Sequence, residues 1–277
     1  MKWAFMTANY VAKEVGYKDV TDWFKDWGRC TEATFRSFQG SQFEHKFESL
    51  ISGIKDNGFD AIELWVGHLN PTTATDDMVR QACDLLDKYE LSVVSYTASF
   101  MAPNMTVQEG ARKFEIARAL GAPLLASSFN VSNAELIVEL AQRYGIFFGL
   151  ENHTERNAEE IIEKIAPYSP WIGATLDTGW FGTNGCDVRA AVRELAPYLK
   201  HVHLKDVLAA GAHDSCGLGE GVVDIAGTLR ELHAIGYQGA LTLEHEPYDH
   251  DPMPAVARSL QLVKRQWSEL QAQEEQQ

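Results

Sequence analysis

The sequence predicts a single (β/α)8 barrel. Three observations carry that expectation. The length of 277 residues is close to the ~250 of one such barrel. Strand-like and helix-like runs alternate along the chain, an α/β pattern. Four strand-like segments in the second half each deliver a metal-ligand side chain. GIFFGLE ends at Glu151, WIGATLD ends at Asp177, KHVHL carries His203, and ALTLE ends at Glu244. These four are 26, 26 and 41 residues apart. A strand, helix and two loops take about that length, with strands of ~5–6 and helices of ~11–12 residues. Four such units would bring three carboxylates and one imidazole to the C-terminal end of a barrel, where chemistry gathers in this fold.

In chain order, a first strand is expected over residues 2–8. Residues 9–40 show no clean helical period and are rich in aromatics (Tyr10, Tyr17, Trp23, Phe24, Trp27, Phe35, Phe38). They read as a long first βα loop, and loops of that length tend to be functional. Two placements stay open: a lid over the barrel mouth, or a short helix at 20–26 packed outside. A helix over 42–57 is stopped by Gly58. A strand over 60–66 and a helix over 76–90, with Thr75 as N-cap, come next. Then follow a strand at 92–97, a helix at 107–120 between Thr106 and Gly121, a strand at 124–128, and a helix at 134–144 stopped by Gly145. Helices near 158–165, 188–195 and 225–235 separate the ligand-bearing strands, and a helix at 254–270 closes the order. The polar tail 271–277 reads as frayed. Nothing resembles a linker or repeat, so residues 1–277 read as one domain.

Side chains alternate across a strand. Counting back by twos from the ligands gives a face of small residues: Gly149, Gly173, Thr175, Ala240 and Thr242, with Phe147 as the bulky exception. The other face carries Ile146, Phe148, Leu150, Ile172, Leu176, Val202, Leu204, Leu241 and Leu243. The bulky set suits packing on surrounding helices, and the small set leaves room inside. Both faces are then buried, as a parallel sheet requires.

The formal net charge of −15 argues against DNA or another polyanion as partner. No run approaches the ~20 apolar residues of a membrane span. MKWAFMTANY lacks a secretory signal's apolar core, and Cys30, Cys83, Cys186 and Cys216 form no CxxC. The expectation is a cytoplasmic protein with reduced thiols and neither a nucleic-acid nor a membrane partner.

Glu151, Asp177, His203 and Glu244 make a hard, oxygen-dominated set. That favours Mn²⁺, with Mg²⁺ or Co²⁺ as alternatives, over a sulfur-rich structural zinc. Four protein ligands leave two octahedral positions for a carbonyl and a neighbouring hydroxyl of a sugar. A cation there would favour deprotonation of the adjacent C–H and formation of an enediolate. Glu151 and Glu244 are the expected acid and base, on opposite faces of the reacting carbon, unless both serve only as ligands.

The motifs LENH (150–153), LDTG (176–179), HVHLKD (201–206), GLGEGVVD (217–224) and YQGALTLEHE (237–246) make the chain resemble the xylose isomerase-like TIM-barrel superfamily of sugar-phosphate isomerases and epimerases. The resemblance runs over essentially the whole chain and is most specific in its second half. It implies that Glu151, Asp177, His203 and Glu244 bind Mn²⁺ or a similar ion, and that the chain forms dimers or tetramers. Ketose 3-epimerases of that family carry a Glu, a His and an Arg where this chain has Asn157, Trp180 and Ala209. Its endonuclease branch needs a His where Trp180 stands, although His68 would fit one of that branch's ligands.

Further residues near strand ends are candidates for contact with substrate. His68 and His153 are each either a sugar contact or a local structural histidine. Lys205 either supplies a cation to a developing oxyanion or points outward in an ion pair. Trp65, Tyr96 and Trp180 either form a wall for a sugar face or fill the barrel top. Asp206 would orient a neighbouring ligand, His201 reads as a hydrogen-bonded core histidine, and the amides of Gly217, Gly219 and Gly221 would take a phosphate or hydroxyl. The expected function is a metal-dependent sugar isomerase or epimerase. A dehydratase or lyase on a keto-sugar or keto-inositol, and a non-catalytic sugar-binding barrel, are the alternatives.

Overall fold

The computed structural model describes residues 1–20 and 22–274. Eight parallel strands close into a barrel: Lys2–Met6, Ala61–Trp65, Ser92–Thr97, Leu124–Ser127, Phe147–Glu151, Ile172–Asp177, Leu199–Leu204 and Ala240–Leu243. Each pairs with the next in sequence, and the last pairs with the first. The protein is therefore a single (β/α)8 TIM barrel. Helices Phe43–Asp56, Asp76–Lys88, Val107–Ala119, Ala134–Tyr144, Ala158–Ile165, Val188–Leu195, Ile225–Ala234 and Met253–Glu274 connect or follow the strands.

Local chemistry sets the helix ends. Thr75 accepts from the Met78 amide at 3.2 Å. Thr106 accepts from the Glu109 amide at 3.2 Å while Glu109 accepts from the Thr106 amide at 2.8 Å, a reciprocal cap. Gly145 stops its helix at a φ of +67°, a conformation that costs a residue with a Cβ more than it costs glycine. The last helix runs on to Glu274, so residues 271–274 of the expected frayed tail are helical. Residues 275–277 lie outside the described residues.

The stretch after the first strand departs from expectation. Thr7–Tyr10 turns as a 3₁₀ helix, which ends the strand at Met6. Trp23–Ser37 is then a full α-helix of 15 residues, capped by Asp22, whose Oδ1 accepts from the Phe24 and Lys25 amides at 3.1 and 3.2 Å. Trp23, Trp27, Cys30, Thr31 and Thr34 recur at helical spacing on its inner face. Phe24, an exposed aromatic that also lines the cavity mouth, widens the stripe in the sequence.

Inside the barrel the side chains are polar and buried: Glu63, Ser95, Thr175, His201, His203 and Thr242. Outside, Phe148, Ile172, Val202 and Leu241 join the helices in the main apolar core. Gly149 is small for a steric reason, because a Cβ there would collide with the side chain of Thr175 on the next strand. The expected result for Gly149→Ala is a loss of about 1–3 kcal/mol from overpacking. Urea unfolding should show a lower midpoint with an unchanged m-value. Among the described residues no helix is long and apolar enough to cross a membrane.

Candidate metal centre and its cavity

Sheet register places the ligands. Asp177 and His203 are direct partners on neighbouring strands. Glu151 pairs with Thr175, two residues before Asp177. The Glu244 amide donates to the Leu204 carbonyl at 3.0 Å, which carries the eighth strand's pairing one residue further. One donor atom from each of Glu151, Asp177, His203 and Glu244 lies within 4.8 Å of all the others.

Asp177 Oδ1 accepts from the amides of Gly179 and Trp180 at 2.6 and 3.0 Å, while its buried Oδ2 has no hydrogen-bond partner. Glu244 Oε1 accepts from Lys205 Nζ at 2.8 Å. Glu244 Oε2 lies 2.9 Å from His203 Nδ1 but is not aligned for a hydrogen bond. Glu151 Oε1 is 3.2 Å from the same nitrogen. Buried acceptors without donors are costly, and a divalent ion would satisfy both. The donor set fits the ion. Burial and the neighbouring charges of Glu244 and Glu151 push Asp177 up to about 7. Burial lowers the basicity of His203, yet the carboxylates of Glu63, Glu151 and Glu244 outweigh it and raise His203 well above its ordinary value.

Glu63 is the residue that the sequence reading missed. Its side chain is fully buried in the barrel, and its Oε2 lies 2.6 Å from His201 Nε2 and 3.0 Å from His203 Nε2. Burial opposes ionisation, but the two imidazoles hold Glu63 well below the usual carboxylate range. With a cation on Nδ1, Glu63 would hold the His203 proton on Nε2, the arrangement by which carboxylates orient metal-binding histidines. His201 is also bonded to Thr242 at 3.0 Å. A signal for Glu63 was present in AIELWVG, where a charged residue sits in a strand with all five residues buried.

A cavity of about 400 Å³ opens above these ligands and is lined by Glu151, Glu244, His153, Lys205, Trp65 and Trp180 among others. The helix Trp23–Ser37 contributes Trp23, Phe24, Trp27 and Thr31 to the same cavity. A larger depression of about 990 Å³ lies at the opposite end of the barrel, beside Lys2 and Ala240, and includes none of the four ligands.

Lys205 is inward and paired at once. It is fully buried, with Nζ 2.8 Å from both Glu244 Oε1 and Glu246 Oε2. Burial works against its charge, but Glu244, Glu246 and Asp177 raise it well above the ordinary lysine value. Burial and the Glu244 charge push Glu246 up to about 8, with Lys205 opposing. His153 reaches the cavity, with Nδ1 3.2 Å from Ser128 Oγ and Nε2 3.9 Å from Glu151 Oε2.

Other candidates are placed elsewhere. Tyr96 is fully buried in the core, where its hydroxyl donates to the Leu69 carbonyl at 2.5 Å. His68 is buried beside Thr7 Oγ1 at 3.1 Å, with ring centroids 4.6 Å from Phe38 and 5.5 Å from Trp65. Burial lowers it to about 3, so it is a neutral structural imidazole at pH 7. Asp206 does not touch the ligands. Its carboxylate accepts from the amides of Gly219, Gly221 and Val223 at 2.9–3.0 Å, and so pins the glycine-rich loop. Asn157 caps the helix Ala158–Ile165. Trp180 stacks on His213 at 3.8 Å between centroids, and burial lowers that histidine to about 2.

Residues 51–266 match the family model described as xylose isomerase-like TIM barrel. The chain belongs to that family. Solved structures of similar fold include a D-tagatose 3-epimerase-like protein, with 19% identity, 99% of each chain covered and a TM-score of 0.71. A probable 3-DHS dehydratase of Bacillus anthracis shows 13% identity over 95% of this chain and 99% of that one, with a TM-score of 0.68. The IolI protein with a bound zinc atom shows 16% identity over 98% of each chain, with a TM-score of 0.65.

Proposed function

We propose that this protein is a divalent-metal-dependent sugar isomerase or epimerase that removes a proton next to a carbonyl. The observation that carries the reading is the convergence of Glu151, Asp177, His203 and Glu244, with Asp177 Oδ2 and Glu244 Oε2 left without donors in a buried site. These four residues would hold Mn²⁺, with Mg²⁺ or Co²⁺ as alternatives, and the zinc in the IolI structure adds Zn²⁺ to the ions worth testing. When bound, the ion would polarise the substrate carbonyl and stabilise negative charge on its oxygen.

The chain's own residues do the rest. Glu151 and Glu244 come from the fifth strand and from the end of the eighth, and flank the centre from two sides. One takes the proton and the other returns it at the enediolate stage. Lys205, held by two carboxylates, offers a fixed positive charge beside the reacting carbon. Trp180 and Trp65 give the sugar an apolar wall, and the helix Trp23–Ser37 covers the mouth as a lid that keeps water from the enediolate. His153 would contact a sugar hydroxyl. The partner is a small sugar or keto-sugar, and the setting is cytoplasmic, with a homodimer or homotetramer as the proposed assembly.

One observation favours a second reading. The positions of a ketose 3-epimerase's substrate-binding Glu and Arg carry Asn157, which caps a helix, and Ala209, which is exposed. The same enediolate can expel a β-substituent, and a dehydratase is among the similar structures. The two readings separate in D₂O. Protein stripped with EDTA and reloaded with Mn²⁺ is incubated with a panel of ketoses and keto-sugars. Deuterium entering one carbon without loss of a group supports isomerisation or epimerisation, whereas release of water or an aglycone supports the lyase. Exchange that persists undiminished in the stripped protein would refute metal dependence.

A further inference from the structure

Building on that reading, we infer that the site takes an unphosphorylated keto-sugar bearing an apolar substituent, with the carbonyl end at the carboxylates and the substituent against a tryptophan arc. The arc is continuous around the mouth. Trp180 and Trp23 have ring centroids 6.1 Å apart, Trp23 and Trp27 4.7 Å, and Trp27 and Trp65 5.7 Å. All four line the cavity that also holds Glu244, Glu246 and Lys205. Lys205 Nζ lies 5.7 Å from the Trp23 ring, so charged floor and aromatic wall meet at that point. The cavity is thus divided by chemistry. One side is carboxylate and ammonium, and the other is a curved aromatic surface that buries flat apolar groups well. On the lid helix, Trp23 Nε1 and Thr31 Oγ1 are buried with no protein partner, and both residues line the cavity.

A phosphate finds no counterpart. Lys205 is the one Lys or Arg among the described lining residues, and two carboxylates already engage it. Glu151 and Glu244 would face the phosphate with like charge. The amides of Gly219 and Gly221, the loop donors that a phosphate would otherwise use, are bonded to Asp206.

The test uses three matched probes on the Mn²⁺-loaded protein: methyl 3-keto-β-D-glucopyranoside, its phenyl counterpart, and the 6-phosphate of the methyl compound. Isothermal titration should show the phenyl probe binding about tenfold more tightly than the methyl one, the order expected for one aromatic contact. The phosphate should bind more weakly than the methyl probe. Trp27→Leu should erase the phenyl advantage and leave the methyl affinity within about twofold. Tighter binding of the phosphate, equal binding of phenyl and methyl probes, failure of all three to bind, or an equal loss for both in Trp27→Leu would overturn the inference. Deuterium exchange on the same samples keeps the two claims apart. A phosphate that binds tightly and exchanges would remove the substrate class and leave the isomerase. Phenyl selectivity without exchange on any carbonyl compound would remove the isomerase and leave the subsite.

Discussion

Glu244→Gln should lower turnover by about 10²–10⁴-fold at saturating Mn²⁺, the contribution typical of a general acid or base. The substitution changes almost no volume, and the amide oxygen can still accept from Lys205, which keeps its bond to Glu246 at 2.8 Å. The fold should therefore survive, as circular dichroism and urea unfolding would show. Metal affinity should fall as well, since one of four ligand charges is removed, so the comparison has to be made on protein shown to be loaded. Glu246→Gln is the control. It touches the same lysine but lies outside the four-ligand cluster, and its effect on turnover should be smaller by at least about tenfold. A Glu244→Gln protein that keeps wild-type turnover when fully loaded would end the assignment of Glu244 as acid or base. A protein in which the same change leaves sugar affinity intact, and in which no turnover is found even in the wild type, would be a binding barrel instead.

The convergence of the four candidate ligands was legible because each stands at or just beyond the carboxyl end of its own strand, and a barrel aligns those ends whatever the loops do. Strand order, strand parity and ligand type are all local properties, so the sequence exposes them. Side-chain direction just beyond a strand is not local. Trp65 and His68 are three residues apart, yet Trp65 lines the cavity while His68 turns beneath the lid helix against Phe38. Tyr96 sits one position from Thr97, which faces the cavity, and one residue of offset moves a strand side chain to the opposite face. The helix Trp23–Ser37 was hidden for a different reason. Its inner stripe of Trp23, Trp27, Thr31 and Thr34 keeps a helical period, but Phe24 at the cavity mouth and Phe35 stacked on Trp65 widen the apolar side until the segment reads as evenly aromatic. Glu63 meets His203 across 140 residues of chain, and no spacing rule links a mid-strand glutamate to a histidine five strands later. What the sequence did offer was the cost of a carboxylate in a strand buried on both faces, which demands a partner.

That partner relation makes Glu63 the second position at which a single change should have a large effect. A lone carboxylate oxygen faces the Nε2 atoms of both His201 and His203. Glu63→Gln keeps the shape but loses the charge that holds both imidazoles to Oε2. Its oxygen can take the place of Oε2, with the NH₂ group where Oε1 has no protein partner; turned the other way, the NH₂ group would meet a donor or force one imidazole to change tautomer. If His203 changes, its proton moves to Nδ1, the nitrogen 2.9–3.2 Å from the carboxylates of Glu244 and Glu151, and that nitrogen can no longer bind a cation. The expected result is a loss of about 10–100-fold in Mn²⁺ affinity, the usual cost of removing the group that orients a metal-binding histidine. Competition with a chelator of known affinity measures it without recourse to activity. Glu63→Ala should go further, leaving buried imidazole donors unpaired at about 1–3 kcal/mol each, and urea unfolding should report that loss. The two variants together separate orientation from simple packing. If Glu63 only fills space, Glu63→Gln will bind Mn²⁺ like the wild type while Glu63→Ala is destabilised. If it sets the His203 tautomer, Glu63→Gln will lose metal affinity at nearly unchanged stability, and ¹⁵N chemical shifts of the His203 ring in Mg²⁺-saturated protein will show the proton on Nε2 in the wild type and its displacement in the variant.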